Sequence, residues 1–185
     1  VDDAHATGTI GNGHGTAAYF GLEKEVDIQL GTLSKSLGSV GGYVAANSTI
    51  IDYLVNTSRS FIFSTALSPA DIGAALAALQ VLETDASVFA RLQENVNYMA
   101  DQLISMGINA TNETPIFPIL IGRNEDTLAV SNYLYEAGII GTAIRPPTVP
   151  IGESRIRLTV TAAHNKEQID YVCQSLHNAM KQLES

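Results

Sequence analysis

The sequence predicts an α/β protein in two parts. Runs with strand-like alternation interleave with runs of helical spacing along the chain. Pattern and composition change near residue 85, after an Ala- and Leu-rich stretch. Beyond that point, three strand-like runs and two further helix-like runs suffice for a small three-stranded sheet with helices on one face. The boundary therefore separates residues 1–84 from 85–185.

The elements follow in order. Val1-Asp2-Asp3 reads as the end of a strand whose body is missing, and a first residue other than Met suggests a fragment of a longer chain. Residues 6–19 are rich in Gly and Thr, poor helix formers, and are expected to form an irregular loop. Residues 26–30 alternate Val, Ile and Leu with Asp and Gln, a strand that stops at Gly31. Residues 43–46 form a second short strand. Ser48 is expected to cap a helix running to about residue 56. Residues 60–63, aromatic and β-branched, read as a third strand. Ser68-Pro69-Ala70-Asp71 carries an N-cap, a proline at the first helical position and an acid in the first turn. The helix it opens runs to about residue 84 and looks buried on most faces. A helix over residues 86–106 ends at Gly107. Then come a strand (116–121), a helix (125–137) stopped by Gly138, two strands (139–144 and 155–160) and a helix (166–183).

Composition narrows the function. The 185 residues carry a formal charge of −9, and the ten Lys and Arg form no run, which argues against nucleic acid as a partner. No apolar run approaches the length of a membrane span, no segment has a secretory pattern, and no membrane partner is expected. Cys173 is the only cysteine. It permits neither an intrachain disulfide nor a cysteine-rich metal site, no metal is expected, and a reducing cytoplasmic setting fits.

Lys35 is the residue with the most informative surroundings. It lies in Gly31-Thr32-Leu33-Ser34-Lys35-Ser36-Leu37-Gly38, with Asp2-Asp3-Ala4-His5 upstream. An amine flanked by hydroxyls and glycines, preceded by an acid and an imidazole, suits pyridoxal phosphate. Lys35 would hold its aldehyde and later act as a base. A buried Asp2 would keep its pyridine nitrogen protonated. His5 would bond its phenolic oxygen, and Thr32 and Ser34 its phosphate. Each also fits a plainer role: a surface lysine, a strand-end acid, a structural histidine, turn hydroxyls. Ser64 and Thr65 precede a helix start, where they suit either a phosphate or simple capping. Arg155 and Arg157 lie two apart on one strand, hence on one face. They suit either a carboxylate or an exposed polar face. The glycines of residues 8–15 lack the Gly-Lys-Ser/Thr and the strand–turn–helix frame of a nucleotide loop.

At this point the chain resembles the pyridoxal-phosphate-dependent α-oxoamine synthases, of fold type I. The matching segments are Asp2-Asp3-Ala4-His5, Gly11-Asn12-Gly13-His14-Gly15, the segment around Lys35, Gly41-Gly42-Tyr43, Phe63-Ser64-Thr65 and Arg155-Ile156-Arg157-Leu158-Thr159, in family order. His14 stands where the family commonly has Arg. The resemblance implies that residues 1–84 are the second part of the cofactor-binding large domain, and 85–185 the small C-terminal domain. It implies catalytic roles for Lys35, His5 and Asp2, and cofactor contacts from Asp2, His5, Thr32, Ser34 and Lys35. It places Ser64 and Thr65 at the phosphate of a second subunit, in a homodimer whose site lies at the interface. Arg157 and Thr148 would meet the substrate. The implied reaction is a decarboxylative condensation of an amino acid with an acyl-CoA thioester. Residues 143–150 look most like the biotin-pathway branch, which implies L-alanine and pimeloyl-CoA. A 2-amino-3-ketobutyrate ligase-like or serine palmitoyltransferase-like activity, or a non-catalytic oligomerising partner, is the alternative. A half-length chain is expected to be inactive alone.

Overall fold

The computed structural model describes residues 1–183. The chain forms two compact units, Val1–Phe89 and Ala90–Ser185.

The first unit is built on a pair of antiparallel strands, β1 (Ile28–Thr32) and β2 (Gly42–Ala46). Asp2 adds a parallel bridge to Leu30 on β1. The expected loop at residues 6–19 contains a 3-10 turn at Gly11–Gly13 and a short helix, α1 (Thr16–Phe20). The buried Asp3 carboxylate accepts the Thr16 N–H, 3.2 Å from each oxygen, and so caps this helix from thirteen positions away. Gly15 has no room for a side chain, because the Asp3 carboxylate occupies the place of a Cβ. Helix α2 (Ser48–Thr57) is capped by Asn47, whose side chain accepts the Ile50 N–H at 3.0 Å, and not by Ser48.

Residues expected as a strand at 60–63 fold instead as a short helix, α3 (Arg59–Ile62). Ser58 follows α2 directly, and its carbonyl accepts the amides of Phe61 and Ile62. With no strand paired to it among the described residues, an aromatic and β-branched run takes the local helical turn. Helix α4 (Pro69–Thr84) starts as expected: Ser68 Oγ accepts the Asp71 N–H at 3.1 Å and donates to its carboxylate at 2.6 Å. Its expected burial is not found, since only Ala75 is buried while Ile72 and Leu76 are more than half exposed. A helix apolar all round needs cover on every side, and the described residues of its unit cover one.

Helix α5 (Ala86–Ser105) has its body in the second unit, with Leu92, Val96, Met99 and Leu103 along one buried stripe. Strands β3 (Ile116–Gly122), β4 (Thr142–Ile144) and β5 (Ser154–Thr159) form an antiparallel sheet in the order β3-β5-β4, the expected three-stranded sheet. β4 is shorter than the run 139–144, because the Ile139 N–H returns to Leu134 to close helix α6 (Asn124–Glu136). Along β5, Ser154, Ile156 and Leu158 point inward while Arg157 and Thr159 point out. α5, α6 and helix α7 (Lys166–Leu183) pack against the inner face, so three helices share the core. Its centre is Val96, Leu103, Phe117, Ile119, Leu134, Ile156 and Leu176. A reciprocal cap starts α7: Gln168 N–H donates to Asn165 Oδ1 and Asn165 N–H to Gln168 Oε1. No single helix among the described residues is long and apolar enough to cross a membrane.

Candidate active site

Adjacent residues of an extended segment face opposite ways, and this separates the two acids of Asp2-Asp3. Asp3 points inward, 3% exposed, and serves α1. Asp2 points outward, so the burial expected of Asp2 belongs to Asp3. Asp2 Oδ1 accepts the Ala4 N–H at 2.9 Å. The segment is stitched to β1 by Leu30 N–H to Val1 O and Asp3 N–H to Leu30 O, at 2.8 and 2.7 Å. His5 lies exposed in the following turn, and its carbonyl accepts the Thr9 hydroxyl at 2.7 Å.

β1 leads directly into the turn that carries Lys35. Thr32 Oγ1 donates to Gly41 O at 3.0 Å and accepts the Ser34 N–H at 3.2 Å, with Ser34 Oγ 2.7 Å away. The turn closes through Gly38 N–H to Lys35 O and Ser39 N–H to Leu33 O. Leu37, 3% exposed, anchors it, and Ser39 Oγ donates to Asp71 O on α4 at 2.6 Å. Lys35 stands exposed on this fixed base and forms no ion pair among the described residues. Thr32 is engaged on both sides by backbone, which leaves Ser34 as the hydroxyl better able to turn to a ligand. Asp2 thus lies on a segment bridged to β1, and Lys35 in the turn that follows β1.

Ser64 and Thr65 lie exposed in the link between α3 and α4. No hydrogen bond joins them to Thr32, Ser34 or Lys35 among the described residues. In the second unit, Arg155 and Arg157 share the outer face of β5 as expected. Arg155 is bound to Glu153, through Nε to its carbonyl and Nη2 to its carboxylate, both at 2.9 Å. Arg157 is exposed and forms no ion pair among the described residues. Thr148 closes a turn after the cis Pro146–Pro147 bond, its N–H donating to Arg145 O at 3.0 Å. The cavity of about 610 Å³ in this unit, walled by Met99, Ile139, Leu158, Val160 and Val172, includes neither Arg157 nor Thr148.

The residues present fit a pyridoxal-type cofactor by their chemistry. Lys35 offers a primary amine with no ion-pair partner among the described residues. Asp2 has a carboxylate oxygen beyond the one held by Ala4, able to meet a cationic nitrogen. Ser34, whose hydroxyl is held only by Thr32 among the described residues and can turn from it, and the turn amides would offer donors suited to a phosphate.

The chain belongs to the aminotransferase class I and II family, whose profile matches residues 1–176. Within that class it is a member of the pyridoxal-phosphate-dependent α-oxoamine synthases, of fold type I. It is 44% identical over 186 residues to 8-amino-7-oxononanoate synthase 1 of Bacillus velezensis, covering 100% of this chain and 48% of that protein. It is 42% identical over 185 residues to the 8-amino-7-oxononanoate synthase of Thermoanaerobacter pseudethanolicus, covering 99% and 47%. A serine palmitoyltransferase from S. paucimobilis has the same fold, with a TM-score of 0.93, 29% identity, and coverage of 100% of this chain and 47% of that one. For 8-amino-7-oxononanoate synthase from Francisella tularensis the values are 0.86, 27%, 100% and 55%. The chain spans about half the length of the curated relatives it matches.

Proposed function

We propose that the protein carrying this chain condenses L-alanine with pimeloyl-CoA, with loss of carbon dioxide, to give 8-amino-7-oxononanoate in biotin biosynthesis. The observation that carries this reading is the stitching of the Asp2 segment to β1, which ends at Thr32 and leads into the turn bearing Ser34 and Lys35. An acid, an imidazole and an amine are thereby presented in family order.

When bound, pyridoxal phosphate supplies an electron sink for the amino-acid Cα. Lys35 would hold the cofactor at its aldehyde, and the Lys35 amine, when free, would take the alanine Cα proton. Asp2 would sit at the pyridine nitrogen and favour a proton there. His5 bonds the phenolic oxygen. Ser34, with Thr32 behind it, holds the phosphate, and Ser64 and Thr65 reach the phosphate of the second subunit in a cytoplasmic homodimer. Arg157 holds the alanine carboxylate with its planar fork, and Thr148 lies along the substrate path. Residues 1–84 serve as the cofactor side and 85–185 as the small domain.

The likeness to serine palmitoyltransferase supports a second reading with serine and a longer acyl chain. The two solved structures are about equally similar, at 29% and 27% identity, and the curated relatives at 42–44% identity, named 8-amino-7-oxononanoate synthase, support alanine and pimeloyl-CoA. The test has two stages. Borohydride reduction in the presence of pyridoxal phosphate should modify Lys35, located by peptide mapping, and Lys35→Ala should abolish both trapping and turnover. A panel of acyl-CoAs with alanine, glycine and serine should then select pimeloyl-CoA and alanine. Full turnover by Lys35→Ala would refute the assignment.

A further inference from the structure

Gly31 lacks a side chain for a visible reason. A Cβ there would fall within the Tyr43 ring, against Cζ, Oη and Cε1. Gly31 and Tyr43 are direct cross-strand partners, so the ring lies back across β1 instead of standing away from the sheet. Its hydroxyl ends 3.1 Å from Thr7 Oγ1. Thr7 belongs to the corner on the other side of β1, which follows the Asp2–Leu30 bridge. Thr7 Oγ1 donates to the Asp3 carbonyl at 3.2 Å. The same carbonyl receives the Ala6 and Thr7 amides at 3.0 and 3.1 Å. With the Thr7 proton engaged there, Tyr43 is the donor to Thr7. Tyr43 is 37% exposed as a residue, so it is not sealed from water, and its hydroxyl nonetheless takes a protein partner. A phenylalanine would fill the same space over Gly31 but could not make this bond.

We propose that Tyr43 is a positioning residue: through Thr7 it straps the corner bearing Asp2 and His5 to the start of β2, just beyond the turn bearing Lys35. Besides this strap, the acid and the amine are joined by the backbone bonds to β1 and by the close approach of Gly8 to Ser36, beside Lys35. The strap spans β1 from β2 and fixes their separation, which must match the span of one aromatic aldehyde from ring nitrogen to aldehyde carbon. This rests on the reading of Asp2 and Lys35 as the cofactor's partners.

The test uses the protein that carries this chain, with pyridoxal phosphate alone as probe and no substrate. Tyr43→Phe keeps the ring over Gly31, and Thr7→Val keeps the shape of Thr7. Each removes the hydroxyl bond, worth roughly a three- to tenfold loss in cofactor retention by equilibrium dialysis. Each should also shift, by the same amount, the pH midpoint of the visible band of cofactor held on Lys35. Thr7→Ser, which keeps the hydroxyl, should restore both, and the double variant should lose no more than either single one. Unchanged retention and midpoint in Tyr43→Phe would overturn the strap, as would a fall in melting temperature alone, which a merely structural bond predicts. If borohydride fails to trap the cofactor on Lys35 in the unaltered protein, the functional reading falls as well, and the two failures are thereby told apart.

Discussion

Arg155 and Arg157 leave β5 on the same face, yet only Arg155 is neutralised. Glu153 holds its guanidinium by two bonds of 2.9 Å. Arg157 stands opposite Pro118 and Thr142, which carry no charge. We expect Arg157→Lys to weaken L-alanine binding about tenfold or more, because an ammonium replaces a planar fork and a charged hydrogen bond is worth roughly 1.5–3 kcal/mol. Arg155→Lys should cost less. A titration with alanine, followed by the cofactor spectrum, compares them, and an equal or larger loss at Arg155 would reverse the assignment. Cys173 gives a second residue-scale expectation. Burial, helped by the nearby Asp170 carboxylate, pushes its thiol up to about 11. Its sulfur rests 3.6 Å from Met99 Sδ. Since the thiolate is the nucleophile, the folded protein should resist iodoacetamide at mildly alkaline pH and react after unfolding. Rapid alkylation of the native protein, seen by mass, would contradict this.

At the scale of elements, the join between β5 and α7 depends on one buried amide. Asn95, on α5, donates from Nδ2 to Thr161 O at 2.9 Å and His164 O at 2.8 Å. His164 Nδ1 in turn accepts the Thr161 N–H at 3.1 Å. Tyr98, one turn on, donates to Asp170 on α7 at 2.7 Å, and Lys166 lies over its ring at 5.2 Å. Asn95→Leu fills a similar volume but leaves two carbonyls without donors, each costing about 1–3 kcal/mol. We expect a clear fall in melting temperature of the second unit, with Tyr98→Phe milder because its hydroxyl is exposed. An Asn95→Leu protein as stable as the parent in denaturant titration would show that water replaces the amide.

At the scale of the molecule, the proposed dimer makes a separable claim. If Ser64 and Thr65 serve the second subunit's phosphate, each site is shared between two chains. Lys35→Ala and the pair Ser64→Ala with Thr65→Ala should then each abolish or cripple activity in pure dimers. Mixed dimers refolded from both should recover activity that neither parent shows. No recovery, with mixed dimers demonstrated by mass, would place Ser64 and Thr65 in their own subunit's site or outside it. The exposed apolar side chains of α4, Ile72, Leu76, Leu79 and Val81, belong to the same scale. Helical spacing told that the helix forms, and its composition told that it is apolar on all sides. Neither could tell what lies against it.

The sequence by itself determined the elements whose signals are local. Ser68 and Pro69 start α4, the period-two pattern of residues 154–159 sets the faces of β5, and Gly107 and Gly138 follow the ends of α5 and α6. It also determined the family, because Asp2, His5, Lys35 and Arg157 occupy fixed places in contiguous motifs. Tertiary structure decided what depends on distant partners. Residues 60–63 became helical with no strand paired to them among the described residues, and Thr16–Phe20 became helical because Asp3 supplied a cap. Which acid of Asp2-Asp3 is buried was decided by the side of the segment that faces α1. The cover of Gly31 by Tyr43, and its reach to Thr7, were likewise invisible in sequence. A cross-strand pair is fixed by register, and register exists only once the strands have met.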